Sequence, residues 1–139
     1  APADARIVVA ELTPEIVAWN RGPLAALAGR PLDDPRASVH VGDVAAQIGQ
    51  GGPWDAILLD TDNGPGAVMI AANAALYGRE GVLAARAALA SGGVLALWSA
   101  DRPSPCEARP AAERLDWRLM ETPAAGGRPE PLHALYFIR

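Results

Sequence analysis

Arg6-Ile7-Val8-Val9-Ala10-Glu11-Leu12 runs directly into Thr13-Pro14-Glu15. The first seven residues place apolar side chains on both alternations, which suits a strand covered on both faces, as in a parallel sheet. The next three read as a helix start. Thr13 stands at the N-cap, Pro14 at the first helical position, where a missing N–H costs nothing, and Glu15 in the first turn, where the helix dipole favours an acid. A buried strand feeding straight into a helix is the building unit of an α/β sheet, and the acid Glu11 sits at its junction.

The rest of the chain repeats the unit. The helix is expected to run to about Ala28, with Ile16, Val17, Leu24 and Leu27 toward its buried side and a kink or split at Gly22-Pro23. A polar turn from Gly29 to Arg36 leads to a strand at Ser38-Val39-His40-Val41, closed by Gly42-Asp43, and Val44 to Ile48 is a helical turn or two. Gly49 to Pro53 reads as a plain loop. Trp54-Asp55-Ala56-Ile57-Leu58-Leu59-Asp60 is the clearest strand, followed by turn formers from Thr61 to Gly66. Asn73 to Ala90 has helical periodicity, and Ser91-Gly92-Gly93 is expected to stop that helix. Val94 to Trp98 is a fourth strand, Ser104 to Leu115 a helix, and Trp117–Glu121 and Leu132–Ile138 two more strands joined as an antiparallel hairpin across Pro123 to Pro131. Strands alternating with helices predict a single doubly wound α/β domain over residues 1–139. The closing hairpin narrows this to the class I methyltransferase variant of the Rossmann fold, with a mostly parallel sheet.

Composition bounds the function less tightly. Half of the 139 residues are hydrophobic and a fifth are charged, enough for a proper core. No apolar run approaches the roughly 20 residues of a membrane span, so no membrane partner is expected. A net charge of -4 gives no basic face for nucleic acid. One cysteine, Cys106, excludes an intrachain disulfide, and no Cys/His spacing suggests a metal. A reduced cytoplasm is the expected compartment. All 12 basic residues are Arg, as in a GC-rich bacterial genome.

Glu11, Asp43 and Asp60 each fall at the carboxyl end of an expected parallel strand. Ligands of open α/β sheets bind in the crevice beyond those ends. Glu11 suits a ribose diol, whose two hydroxyls a carboxylate can accept together. Asp43 can accept from an exocyclic adenine amine, with Val44 beside the ring, and Asp60 lies nearest the reaction centre. The competing reading is that each acid merely caps the next helix. His40 is expected to be a satisfied or surface strand histidine, His133 to have no partner at motif spacing, and the four tryptophans to be core, with Trp98 bordering the crevice.

The segments Val9 to Val17, Leu32-Asp33-Asp34-Pro35-Arg36, Val41-Gly42-Asp43, Asp55 to Asp60, Gly64-Pro65, Leu76-Tyr77 and Gly92 to Leu95, in this order, resemble the spermidine synthases. The resemblance covers nearly the whole chain up to about Ser99. It implies transfer of an aminopropyl group from decarboxylated S-adenosylmethionine to an amine such as putrescine, with no metal. Glu11, Asp43, Val44 and Asp60 would hold the co-substrate, Asp60 and Asp62 would do the acid–base work, and Asn63 and Tyr77 would face the acceptor.

The sequence also departs from that pattern. Asn63 stands where the second acid of an Asp-x-x-Asp motif is expected, with Asp62 displaced by one residue, and an amide neither takes a proton nor neutralises an ammonium. Trp98-Ser99 replaces an expected Gln. No Gly-rich loop precedes Glu11, so the fold is expected to lack its first strand, with an order resembling 3-2-(1)-4-5-7-6. The strands at Ile7–Ala10 and Ala56–Leu59 would then each lose a neighbour. They are expected either to pair directly or to recruit another chain, giving a homo-oligomer through the open edge. Three functions remain open: aminopropyl transfer, S-adenosylmethionine-dependent methyl transfer, and a non-catalytic relic of the fold.

Overall fold

The computed structural model describes residues 2–61, 73–100, 115–123 and 132–139. The chain forms two compact units, Ala1–Gln50 and Gly51–Arg139. Expectations for the helix at Ser104–Leu115 and for Cys106 fall wholly or almost wholly outside the described residues.

In the first unit, β1 (Ile7–Glu11) feeds α1 (Pro14–Arg21), and β2 (Ala37–Val41) feeds α2 (Val44–Gly51). β1 and β2 pair in parallel from Ile7 opposite Ala37 to Glu11 opposite Val41. Pro14 takes the first helical turn as expected. Thr13 stands at the N-cap, but its hydroxyl makes no capping bond. Its backbone N–H instead donates to Glu11 Oε1 at 2.8 Å, so the acid two residues earlier does the capping. α1 stops at Arg21, seven residues short of the expected end. Pro23 has no N–H to continue the ladder, and the chain turns back on itself, with Leu24 N–H donating to Trp19 O and Arg30 N–H to Ala25 O. Shortening the helix changes its buried side. Val17 and Ala25 are buried, whereas Ile16 and Leu24 are exposed and Leu27 is 84% exposed. α2 is longer than expected, because the glycines at 49 and 51 extend it rather than break it.

The turn before β2 is held mainly by the Asp34–Arg36 ion pair, beside a longer, exposed Arg30–Asp33 pair at 3.8 Å. Arg36 Nε and Nη2 donate to the two carboxylate oxygens of Asp34 at 3.0 and 2.7 Å, and the Arg36 backbone N–H donates to Oδ1 at 2.9 Å. These bonds, the side-chain pair first and the backbone N–H second, hold the Asp34 carboxyl at about 2.

The second unit is a four-stranded mixed sheet in the order β3-β4-β6-β5. β3 is Trp54–Leu59, β4 Leu89–Ser99, β5 Trp117–Pro123 and β6 Leu132–Ile138. β3 and β4 are parallel, and the expected hairpin is present as an antiparallel β5–β6 pair with Trp117 opposite Ile138 and Pro123 opposite Leu132. Two helices, α3 (Ala74–Tyr77) and α4 (Arg79–Ala87), replace the single one expected from Asn73 to Ala90. The chain between them passes through Gly78, which is extended. Ser91-Gly92-Gly93 does not stop a helix. It lies inside β4, at the register shift between Trp54 and Ala56. Gly92 has φ +80, and a Cβ on Gly93 would stand 2.9 Å from Trp54 O and 3.0 Å from Ala90 O. The two glycines therefore allow a bulge and a close backbone approach.

Alternation along these strands separates two faces. Ile57, Leu59, Leu95, Leu97, Ala134, Tyr136 and Ile138 form the buried one. Trp19 and Trp117 are exposed and Trp54 and Trp98 half-buried, so none of the tryptophans is the core residue expected.

Each sheet reproduces one stretch of the expected order, β2-β1 as 3-2 and β3-β4-β6-β5 as 4-5-7-6, and no described strand supplies the 1. β1 and β3 do not pair directly, contrary to one expectation. They belong to separate sheets, and each is an edge strand. Among the described residues no helix is long and apolar enough to cross a membrane.

Candidate functional site

Glu11 and Asp43 come together in the first unit. Glu11 ends β1 opposite Val41, and Asp43 follows β2 by two residues, so both stand at the carboxyl end of one parallel pair. Gly42 N–H donates to Glu11 O at 2.9 Å, continuing the ladder past the strand end and bringing Asp43 alongside. Each acid does cap a helix: Glu11 through Oε1 to Thr13 N–H, Asp43 through Oδ1 to Ala45 N–H at 2.8 Å. Each capping bond uses one oxygen. Among the described residues, no bond reaches Glu11 Oε2 or Asp43 Oδ2. Capping and ligand binding are thus compatible, since the cap orients the carboxylate and leaves an acceptor free. Val44, the first residue of α2, is half-buried beside Asp43.

In the second unit, Tyr77 is tied to the residue after Asp60. Asp60 follows β3 directly and is exposed. The next residue, Thr61, shares a hydrogen bond of 3.1 Å between its hydroxyl and that of Tyr77. Thr61 O accepts from Asn73 Nδ2 at 3.1 Å. Tyr77 is buried, so its hydroxyl anchors the start of the loop that carries Asp60 rather than standing free for a ligand. Asp62 and Asn63 lie outside the described residues.

Sequence reasoning missed two groups. His133, on β6, packs its ring on that of Trp98, on β4, with centroids 5.1 Å apart and planes 39° apart. The same histidine buries Nδ1 without a hydrogen-bond partner among the described residues. Tyr136, almost fully buried beside Trp117, likewise leaves its hydroxyl unpartnered, and burial raises its pKa. Neither pairing has a signal in local sequence, because each depends on antiparallel register, between β4 and β6 for Trp98 and His133 and within the β5–β6 hairpin for Trp117 and Tyr136.

Among the described residues no group of three or more His, Cys, Asp or Glu is placed to hold a metal ion. A hollow of about 370 Å³ lies at the opposite end of the four-stranded sheet, between Val94, Arg118, Phe137 and Arg139. It is remote in the sheet from Asp60, and Trp117 also lines it.

No family model and no curated protein matches the sequence. Solved structures do match the fold. The spermidine synthase from Thermotoga maritima superposes with a TM-score of 0.73 at 18% identity, over 96% of this chain and 45% of that one. A spermidine synthase in complex with the transition state analogue AdoDATO gives 0.71 at 17% identity, over 96% and 44%. Human methyltransferase-like protein 13 in complex with SAH gives 0.58 at 17% identity, over 96% and 60%. The chain thus spans less than half the length of the two spermidine synthases. What these likenesses share with the strand order above is the fold, which is the Rossmann-like class I methyltransferase fold.

Proposed function

We propose that this chain is the nucleoside-binding part of a group-transfer enzyme, and that the group is an aminopropyl unit passed from decarboxylated S-adenosylmethionine to an amine. The observation that supports it most is the Glu11–Asp43 pair, two oriented carboxylates at neighbouring strand ends, each with an oxygen to spare. Glu11 would take the ribose hydroxyls and Asp43 the adenine amine, with Val44 against the ring. These residues bind and orient. The co-substrate itself supplies a carbon activated by positive sulfur.

At the reacting end, the acceptor nitrogen forms the new N–C bond as the C–S bond breaks, and the bonding pair returns to sulfur. One proton must leave nitrogen. Asp60, exposed and next to the Thr61–Tyr77 bond, would orient the amine and take that proton. The spermidine synthase structures support this reading. A second reading, methyl transfer from S-adenosylmethionine, shares the nucleoside contacts. It is favoured by Asn63, which removes the second acid that a diamine would want, and by the likeness to methyltransferase-like protein 13.

Turnover by the full-length protein separates the readings. With decarboxylated S-adenosylmethionine and a set of primary amines that includes putrescine, transfer should be seen and should fall about 100-fold or more in Asp60→Asn, the size of a lost general base. Methyl transfer without aminopropyl transfer would select the second reading. Nucleoside binding with neither activity would mark a relic.

A further inference from the structure

The four-stranded sheet carries a further polar arrangement at the carboxyl end of β4, which takes in Asp60, one of the strand-end acids. In the parallel ladder Leu58 faces Ala96 and Leu59 faces Leu97, so continuing the register sets Asp60 level with Trp98. Trp98 faces Leu135 on β6, and His133 lies two residues nearer the carboxyl end of β4, on the same side of the sheet. Asp60, Trp98 and His133 thus form a staggered row on one side of three neighbouring strands, with His133 two residues beyond the level of Trp98. The imidazole of His133 packs on the ring of Trp98, and its Nδ1 is buried with no hydrogen-bond partner among the described residues. A buried polar atom without a partner costs about 1–3 kcal/mol. That cost is removed when a ligand supplies the missing donor or acceptor.

We propose that Trp98 and His133 seat the acceptor of the transfer reaction, and that this acceptor is a monoamine with an aromatic or otherwise apolar body rather than a diamine. The inference rests on the group-transfer reading above and names the substrate class of that site. His133 Nδ1 hydrogen-bonds the amine, and Trp98 offers its ring to the body of the molecule. Alternation puts Leu58, Leu135 and Met120 on the same side, and Leu58 is 76% exposed. Asp60 is the acid of that row among the described residues, so it provides one carboxylate for one ammonium.

Benzylamine and putrescine serve as probes, each titrated into the full-length protein with and without S-adenosylhomocysteine. The imidazole proton resonance of His133 is the readout, identified by its loss in His133→Phe. Benzylamine should move that resonance saturably and bind at least tenfold more tightly than putrescine. Its affinity should fall tenfold or more in His133→Phe and in Trp98→Leu, with partial rescue in His133→Asn, which restores a polar atom near the Nδ1 position. S-adenosylhomocysteine affinity should stay within twofold in all three. His133→Phe removes the orphaned atom, so it should fold at least as well as the parent, which a circular dichroism melt checks. If S-adenosylhomocysteine binds but benzylamine leaves His133 unmoved, or putrescine binds more tightly, the seat is overturned and the group-transfer reading stands. If benzylamine moves His133 but no nucleoside binds, the seat stands and the group-transfer reading falls. His133→Phe binding benzylamine as well as the parent would reduce the pair to packing and overturn the proposal.

Discussion

Tyr136 shows how a single buried atom can report on a site. Its hydroxyl is buried without a hydrogen-bond partner among the described residues, beside the ring of Trp117. Removing such an atom while keeping the ring relieves the desolvation cost. Tyr136→Phe is therefore expected to be neutral or to stabilise by up to about 1 kcal/mol, measured by urea denaturation, and a loss above 1 kcal/mol would show a partner in solution. Asp34 acts the other way. Its carboxyl is held at about 2 by Arg36, so ionisation favours the folded state. That contribution is complete above the ordinary carboxyl value near 4 and is lost as pH falls toward 2. Asp34→Asn should melt below the parent at pH 7, with the gap closing only as pH falls through about 2. The Asp33-Asp34-Pro35-Arg36 segment was legible as a turn; its clasp, a bidentate ion pair plus an Asx bond, appears only once the side chains are placed.

At the scale of elements, several strands were legible nearly to the residue, whereas β4 begins five residues before its expected start at Val94. β6 matches at both ends, and β3 and β2 within one residue at each end, because apolar or β-branched runs between turn formers admit few alternatives. Helix ends were less legible, since glycine serves several purposes. Gly92-Gly93 has the signature of a helix stop, yet forms a bulge in β4, where the neighbouring strand passes too close for a side chain. Gly93→Ala should therefore cost about 1–3 kcal/mol in chemical denaturation, the usual range for overpacking. No loss would mean that β3 and β4 approach less closely at Trp54. Glu11, Asp43 and Asp60 were legible as strand-end acids. The capping use of Glu11 was legible only as an alternative for each acid, because side-chain reach decides it, and the Trp98–His133 contact was hidden by long-range register.

On the scale of the whole molecule, the two units differ in how much they bury. The second carries Leu59, Leu95 and Val82 fully buried, while the first closes a two-stranded sheet over Val17, Ala25 and Ile48. Two strands alone are marginal in water. Hydrogen exchange should therefore protect the amides of Leu95 to Leu97 more than those of Val8 to Ala10, by about tenfold or more; equal protection would mean that the first unit draws stability from a further strand or partner. Such a partner on the edge of β1 or β3 would appear as concentration-dependent self-association in sedimentation, the oligomer proposed from the sequence. The central claim is nucleoside binding by oriented strand-end carboxylates, and calorimetric titration with methylthioadenosine and S-adenosylhomocysteine tests it most directly. Glu11→Gln keeps an oxygen for Thr13 N–H and removes the charge that a ribose diol needs. The account expects saturable one-to-one binding that weakens about tenfold or more in Glu11→Gln, as a lost charge-assisted bond of about 1.5–3 kcal/mol requires. No binding to the full-length protein, or equal binding by the variant, would contradict it.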